Sequence, residues 1–101
     1  MAAGGRREDI DAKIAMWERE LERLRVALAS APEALNVQHH PTFVELYRQK
    51  EVAKSRWEAI RGVYRPEAQA MRRCEEALAA MEAAWPAART MLTEMHSVRT
   101  A

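Results

Sequence analysis

The chain has 101 residues, a length that fits one domain rather than several. Gly and Pro are few beside abundant Ala, Glu, Arg and Leu, and no long stretch alternates apolar and polar residues, so the composition predicts long helices and argues against a sheet. The net charge of +1 gives the whole chain little attraction for nucleic acid or acidic lipid.

The first predicted helix carries the strongest pattern in the chain. Residues 1–7 contain two glycines and nothing to bury, so we expect a flexible tail there. Helix 1 is predicted over residues 8–30, and Pro32 follows its end because the residue before a proline avoids the α conformation. Its apolar residues step alternately by four and three, which is the seam of a coiled coil and requires a partner helix. They are Ile10, Ile14, Trp17, Leu21, Leu24 and Leu28.

Two further helices follow. Residues 35–40 are expected to connect helix 1 to helix 2, which is predicted over residues 41–64 with Pro41 in its first turn. Helix 3 is predicted over residues 67–97. Gly62 and Pro66 favour a break between helices 2 and 3, although the seam keeps its phase and one long helix kinked at Pro66 is the alternative. Pro86 predicts a kink within helix 3.

Helices 1 and 2 match each other when they are laid antiparallel. This register sets Trp17 against Trp57, Ile10 against Tyr64 and Leu24 against Lys50. It also sets three pairs of opposite charge along the flanks: Asp11 with Arg61, Glu18 with Lys54, and Glu20 with Arg56. The hairpin closes within one chain in the interpretation we favour, and between two chains in the alternative.

These features predict an all-α fold, in which an antiparallel coiled-coil helical hairpin and a third helix form one domain over residues 8–98. The third helix makes either a three-helix bundle or an extended helical oligomer. Its Met and Trp side chains suit adaptable recognition, so we predict a partner-binding face there, with simple core packing as the alternative. The predicted partner-binding residues are Met71, Leu78, Met81, Trp85, Leu92 and Met95.

The predicted function is a non-catalytic protein–protein interaction module, an adaptor, assembly factor or inhibitor that binds a protein partner or itself, with a dimer expected. The alternative is a small nucleic-acid-associated regulator that uses basic side chains of helix 2 and the tail. Its candidate residues are Arg6, Arg7, Arg48 and Arg65.

We expect no enzyme, cofactor, metal site or small-molecule substrate, since no catalytic arrangement or phosphate loop is visible. The adjacent residues His39 and His40 lack further ligands at suitable spacing and are expected in a plain loop. Cys74 lies on an apolar seam as a small hydrophobe, and a single cysteine fits a reducing cytoplasm. No apolar run approaches the roughly 18 residues of a membrane span.

Overall fold

Three helices form a three-helix bundle in the computed structural model, which describes the backbone of residues 2–100 and the side chains of residues 7–97. They are α1 (Ala2–Ser30), α2 (Glu33–Ile60) and α3 (Ala68–Thr100), and the described residues contain no strand. The chain runs up, down and up, so that α1 and α3 are parallel. The molecule is 52 Å long, close to the length of about 50 Å expected of the 33-residue α3 at ~1.5 Å per residue.

The first helix begins earlier than the sequence predicted. Its backbone is helical from Ala2, so residues 2–7 continue α1 where we expected a flexible tail; Met1 lies outside the described residues. No proline interrupts this stretch, and the glycine pair Gly4–Gly5 costs a helix only about 1 kcal/mol per residue. Glycine therefore lowers the stability of this first turn without ending the helix.

The predicted connection over residues 35–40 is wrong, because these residues belong to α2. Only Ala31 and Pro32 separate α1 from α2, and Pro41 lies inside the second helix. No side chain caps the start of α2 at Pro32, but Asn36 Nδ2 donates a hydrogen bond across the turn to the Leu28 carbonyl at 2.7 Å. A proline in a helix interior costs about 3 kcal/mol. Burial of His39 and partial burial of Leu35 offset this cost, since both pack only if the helix continues.

The break between the second and third helices lies where Gly62 and Pro66 predicted it. The second helix ends at Ile60, residues 61–67 form a loop, and the alternative of one long helix kinked at Pro66 is wrong. The end of helix 2 was predicted too late, at residue 64. Tyr64 therefore lies in the loop and is 83% exposed, and the predicted layer of Ile10 against Tyr64 is absent. The helix stops here for two reasons. Gly62 is a poor helix former, and Arg65 precedes Pro66 and therefore avoids the α conformation.

The core runs along the bundle axis and takes side chains from all three helices. From α1 it buries five of the six predicted seam residues, from Ile14 to Leu28, while Ile10 is half-buried. The inner face of α3 completes the core. The fully buried or nearly buried members from α2 and α3 are Leu46, Ala53, Trp57, Cys74, Ala77, Met81, Trp85, Ala88, Met91 and Met95.

The antiparallel hairpin of α1 and α2 is confirmed by two of the three predicted charge pairs. Arg61 Nη2 lies 2.8 Å from Asp11 Oδ2, and Lys54 Nζ lies 2.7 Å from Glu18 Oε2. The pair of Glu20 with Arg56 is wrong. Arg56 faces α3 and donates to the Arg73 carbonyl at 3.2 Å, because the third helix occupies that side of α2.

The predicted contact between the indoles of Trp17 and Trp57 is replaced by a contact between α1 and α3. The Trp17 ring lies 6.4 Å from that of Trp85, tilted by 46°. Trp57 belongs to the same core but turns its Nε1–H toward Asp11, 2.7 Å away. In a bundle of three, a seam side chain points between its two neighbours, so the largest ring on α1 meets the largest ring on α3.

Among the described Lys, Arg, Asp and Glu residues, only Lys50 has a buried side chain. The sequence predicted this burial, because it placed Lys50 on the apolar seam of the second helix. Its Nζ pairs with Glu51, lies 3.6 Å from Glu18 Oε2 and sits 4.3 Å from the centre of the Tyr47 ring. The alkyl stem crosses the apolar layer while the ammonium reaches acids at its edge. In a shifted register the buried Lys50 ammonium would lose these acidic partners, so this lysine favours the observed helix register over shifted ones.

The third helix continues through Pro86 to Thr100. Proline removes the backbone donor at that position, and Thr90 Oγ1 donates to the Pro86 carbonyl at 3.0 Å one turn later. Further along, Glu94 Oε2 lies 2.9 Å from Nε2 of the buried His39 of α2. This polar pair ties the C-terminal half of α3 to the hairpin.

The pair of Glu18 and Lys54 predicts a pH dependence of stability. The hydrogen bond from Lys54 lowers the pKa of Glu18 below its usual value of 4.5. A carboxylate with a lowered pKa stabilises the fold above the pKa of the unfolded chain, and this contribution is lost as the pH falls through the folded pKa. We expect Glu18→Gln to reduce the free energy of unfolding by about 0.2–1 kcal/mol at neutral pH, and by progressively less below pH ~4.5.

Urea unfolding of the wild type and the variant across this pH range measures the effect. Lys54→Gln removes the same bond from the other side and is expected to show the same pH profile. A wild-type advantage that persists unchanged at strongly acid pH would contradict the assignment of this contribution to the carboxylate.

Candidate functional site

An apolar groove opens at the end of the bundle that carries the loop between α2 and α3. We call it the end groove; its volume is about 560 Å³. All three helices and the loop contribute to it. Its lining residues are Arg7, Ile10, Trp57, Ile60, Arg61, Val63, Tyr64, Pro66, Met71, Cys74, Glu75 and Leu78.

The loop between α2 and α3 creates the mouth of the groove. Because the second helix stops at Ile60, residues 61–67 leave the bundle axis, and none of the described side chains closes the space between the starts of α1 and α3. Val63 N–H donates to the Ile60 carbonyl at 3.0 Å, which turns the chain tightly. Val63 and Tyr64 are thereby held outside the core, at the edge of the opening.

Three large apolar side chains at this mouth are exposed. Tyr64 is 83% exposed, Val63 44% and Met71 42%. A monomeric protein rarely exposes a cluster of large apolar side chains without a binding role. Because the three side chains line one groove, the mouth is a candidate contact surface rather than a set of scattered exposures.

Hydrogen bonds hold the floor of the groove in place. The indole of Trp57 is held by its hydrogen bond to Asp11, and the same carboxylate accepts a hydrogen bond from Arg61. Burial raises the pKa of the Cys74 thiol, and the neighbouring Glu75 acts in the same direction. A thiol that stays protonated is a poor nucleophile, so Cys74 contributes apolar surface as predicted.

Charged side chains of both signs surround the opening. Arg7, Arg61 and Glu75 line it, and the guanidinium of Arg65 lies 5.6 Å from the centre of the Tyr64 ring. Stacking on an arginine limits the freedom of an exposed aromatic ring at little energetic cost.

The predicted partner-binding residues divide into two groups. Met71 and Leu78 line the end groove, and Leu92 is half-buried beside α1 with Val26 in a shallow opening. The other three predicted residues, Met81, Trp85 and Met95, are buried in the core of this chain. Because α3 packs its inner face on its own hairpin, Met81 and Trp85 are not accessible to a partner in this fold, whereas Met95 lines the same opening as Leu92.

Sequence reasoning missed the loop residues of the groove. Tyr64 was assigned to the seam because its spacing from Ile60 continued the three-four pattern. The signal that could have found it was the pair Gly62 and Pro66, which ends the helix on either side of Val63 and Tyr64 and leaves both apolar residues in a loop.

The structure brings only some of the candidate nucleic-acid residues together. Arg48 pairs with Glu45 beside a shallow opening between α2 and α3, whereas Arg7 lies at the end groove. Arg65 stacks on Tyr64, and the side chain of Arg6 lies outside the described residues. A surface that binds a polyanion needs its cations on one side. Arg7 and Arg65 lie at the same end of the bundle, whereas Arg48 lies apart from them and is paired with Glu45.

The described residues hold no group of three or more His, Cys, Asp or Glu side chains that could bind a metal ion. His39 was expected in a loop, but it is a buried helical residue paired with Glu94, while His40 is exposed. None of the described helices is both long and apolar enough to cross a membrane.

Comparisons with protein-family models, with curated proteins and with solved structures return no match for this chain.

Proposed function

We propose that the protein is a non-catalytic protein–protein interaction module, an adaptor, assembly factor or inhibitor, and that the end groove is its contact surface. The proposal rests on the exposed apolar cluster of Val63, Tyr64 and Met71 around an apolar floor. Tyr, Trp, Met and Arg are the residue types enriched at protein interfaces, and all four line this groove.

The rigid part of the site supports the same proposal. Trp57 is fixed by Asp11, and the helices that carry Ile10 and Leu78 are packed against the core. A partner would thus meet a preformed floor and would order only the loop side chains, which reduces the entropic cost of binding. We further propose the cytoplasm as the compartment, since the chain has a single cysteine and so no internal disulfide.

Site-specific photocrosslinking in cells that express the full chain tests this function. A photoreactive residue replaces Met71 at the groove, and the matched control replaces Val26, which is similarly exposed but lies outside the groove. We expect protein adducts from position 71 and few from position 26. Equal labelling from both positions, or no protein adduct from position 71, would overturn the proposal; adducts with RNA or DNA would favour the nucleic-acid alternative.

A further inference from the structure

The mouth of the end groove is both concave and convex. The apolar floor between α1 and α3 is open, while Tyr64 projects beside it with most of its ring in solvent. A surface that carries a cavity and an adjacent projecting aromatic ring can complement a second copy of itself across a two-fold axis, with each ring set on the other floor. Burying a tyrosine removes on the order of 150–250 Å² from water.

The charge around the groove also suits a second copy. Residues 7–11 and 56–76, which form this end of the bundle, contain six basic and seven acidic side chains. A polyanion or a strongly charged protein gains little from such a mixed surface. Two copies related by a two-fold axis can instead set the acids of one against the bases of the other, with no net repulsion between them.

The dimensions of the bundle limit the strength of such a contact. The molecule is 24 × 18 Å across, so an end face offers about 400 Å² per partner, roughly half of the ~800 Å² per partner that a standard stable interface buries. A contact of this size forms reversibly and needs high concentration or tethering.

From these observations we infer that the end groove binds a second copy of this chain, forming a weak symmetric dimer in which the Tyr64 rings are exchanged between the two grooves. This inference rests on the proposed function and names the partner. Val63 and Met71 extend the contact around the ring, and the long sides of the two bundles stay free.

Sedimentation equilibrium of the full chain, kept reduced and studied from micromolar to near-millimolar concentration, tests the inference. We expect the average mass to rise with concentration from 11.5 kDa toward twice that value. Tyr64→Ser is expected to weaken the association by about tenfold or more, as truncation of an aromatic anchor does. Met71→Gln should weaken it in the same direction.

Val44→Ser is the matched control. Val44 is 49% exposed on α2, away from the groove, and its substitution should leave the association unchanged. Because Tyr64 and Val44 are exposed, both variants should keep the wild-type helical circular dichroism. A mass that stays at 11.5 kDa at every concentration, or equal association of the Tyr64→Ser variant and the wild type, would overturn the inference.

The two proposals fail in different ways. If the purified chain is monomeric while position 71 crosslinks to a different protein in cells, the self-association is wrong and the interaction function stands. If position 71 also yields no protein adduct, both are wrong.

Discussion

Replacing Trp17 with alanine is expected to lower the free energy of unfolding by about 3–5 kcal/mol. Trp17 is among the largest fully buried side chains, and its ring contacts Trp85 across the interface of α1 and α3. Removing the indole loses the favourable free energy of burying it and leaves a cavity that three packed helices cannot fill. Since a domain of this size is stable by only ~5–15 kcal/mol, the loss is a large share of the total.

Denaturant unfolding followed by circular dichroism measures this change. A double-mutant cycle with conservative Trp→Leu substitutions then identifies the partner of Trp17. We expect a coupling of about 0.5–1.5 kcal/mol between Trp17 and Trp85, the value typical of contacting aromatic rings. A coupling between Trp17 and Trp57 that exceeds it would contradict the packing of α3 described here.

Replacing Met81 with alanine is expected to cost about 2–5 kcal/mol of unfolding free energy. Its side chain is fully buried in the core, on the face of α3 that packs against the hairpin. Met71 lies on the same helix but is 42% exposed at the groove, so Met71→Ala should change stability by no more than about 0.5 kcal/mol.

This pair of variants separates the core of α3 from its contact surface, because the same chemical change is made at both positions. Thermal and urea unfolding at a concentration where the chain is monomeric give the comparison. Equal costs at positions 71 and 81, or a larger cost at 71, would mean that the third helix does not pack on its hairpin as the structure has it.

The first helix and its orientation could be predicted from the sequence because their signals are local and redundant. The seam from Ile14 to Leu28 follows one periodicity throughout. Two of the three predicted flanking charge pairs, Asp11 with Arg61 and Glu18 with Lys54, are present. A register shift would have separated these charge pairs and moved leucines off the seam, so few alternatives competed. Lys50 lies on the same three-four pattern of α2, and its side chain is buried as that position predicted.

The errors arose where tertiary packing outweighed a local preference. Pro41 predicted a helix start, but the packing of His39 against α3 keeps the helix continuous on its N-terminal side. The spacing of Met81 and Trp85 is compatible with core packing and with a partner-binding face. Periodicity identifies an apolar helix face but does not identify what covers it. The loop after Ile60 reverses the chain direction, so that α3 packs along the hairpin. This reversal decides between core packing and a partner-binding face.

The candidate site depends on the same turn. A helix that ended at residue 64 would have placed Tyr64 in a layer with Ile10 and closed the end of the bundle. By ending at Ile60, the helix leaves Ile10 half-buried and Tyr64 in solvent, and the end groove lies between them. The contact surface is thus a consequence of the early helix stop.

The most direct test of this contact surface is a comparison of backbone amide NMR spectra of the full chain at dilute and at near-millimolar concentration. We predict that the concentration-dependent shifts cluster at residues 60–71 and around Ile10, and that amides near Val37 and Val44 on the outer face of α2 do not move. Shifts that cluster on that outer face, or spectra that do not change with concentration, would contradict the assignment of the end groove as the self-association surface.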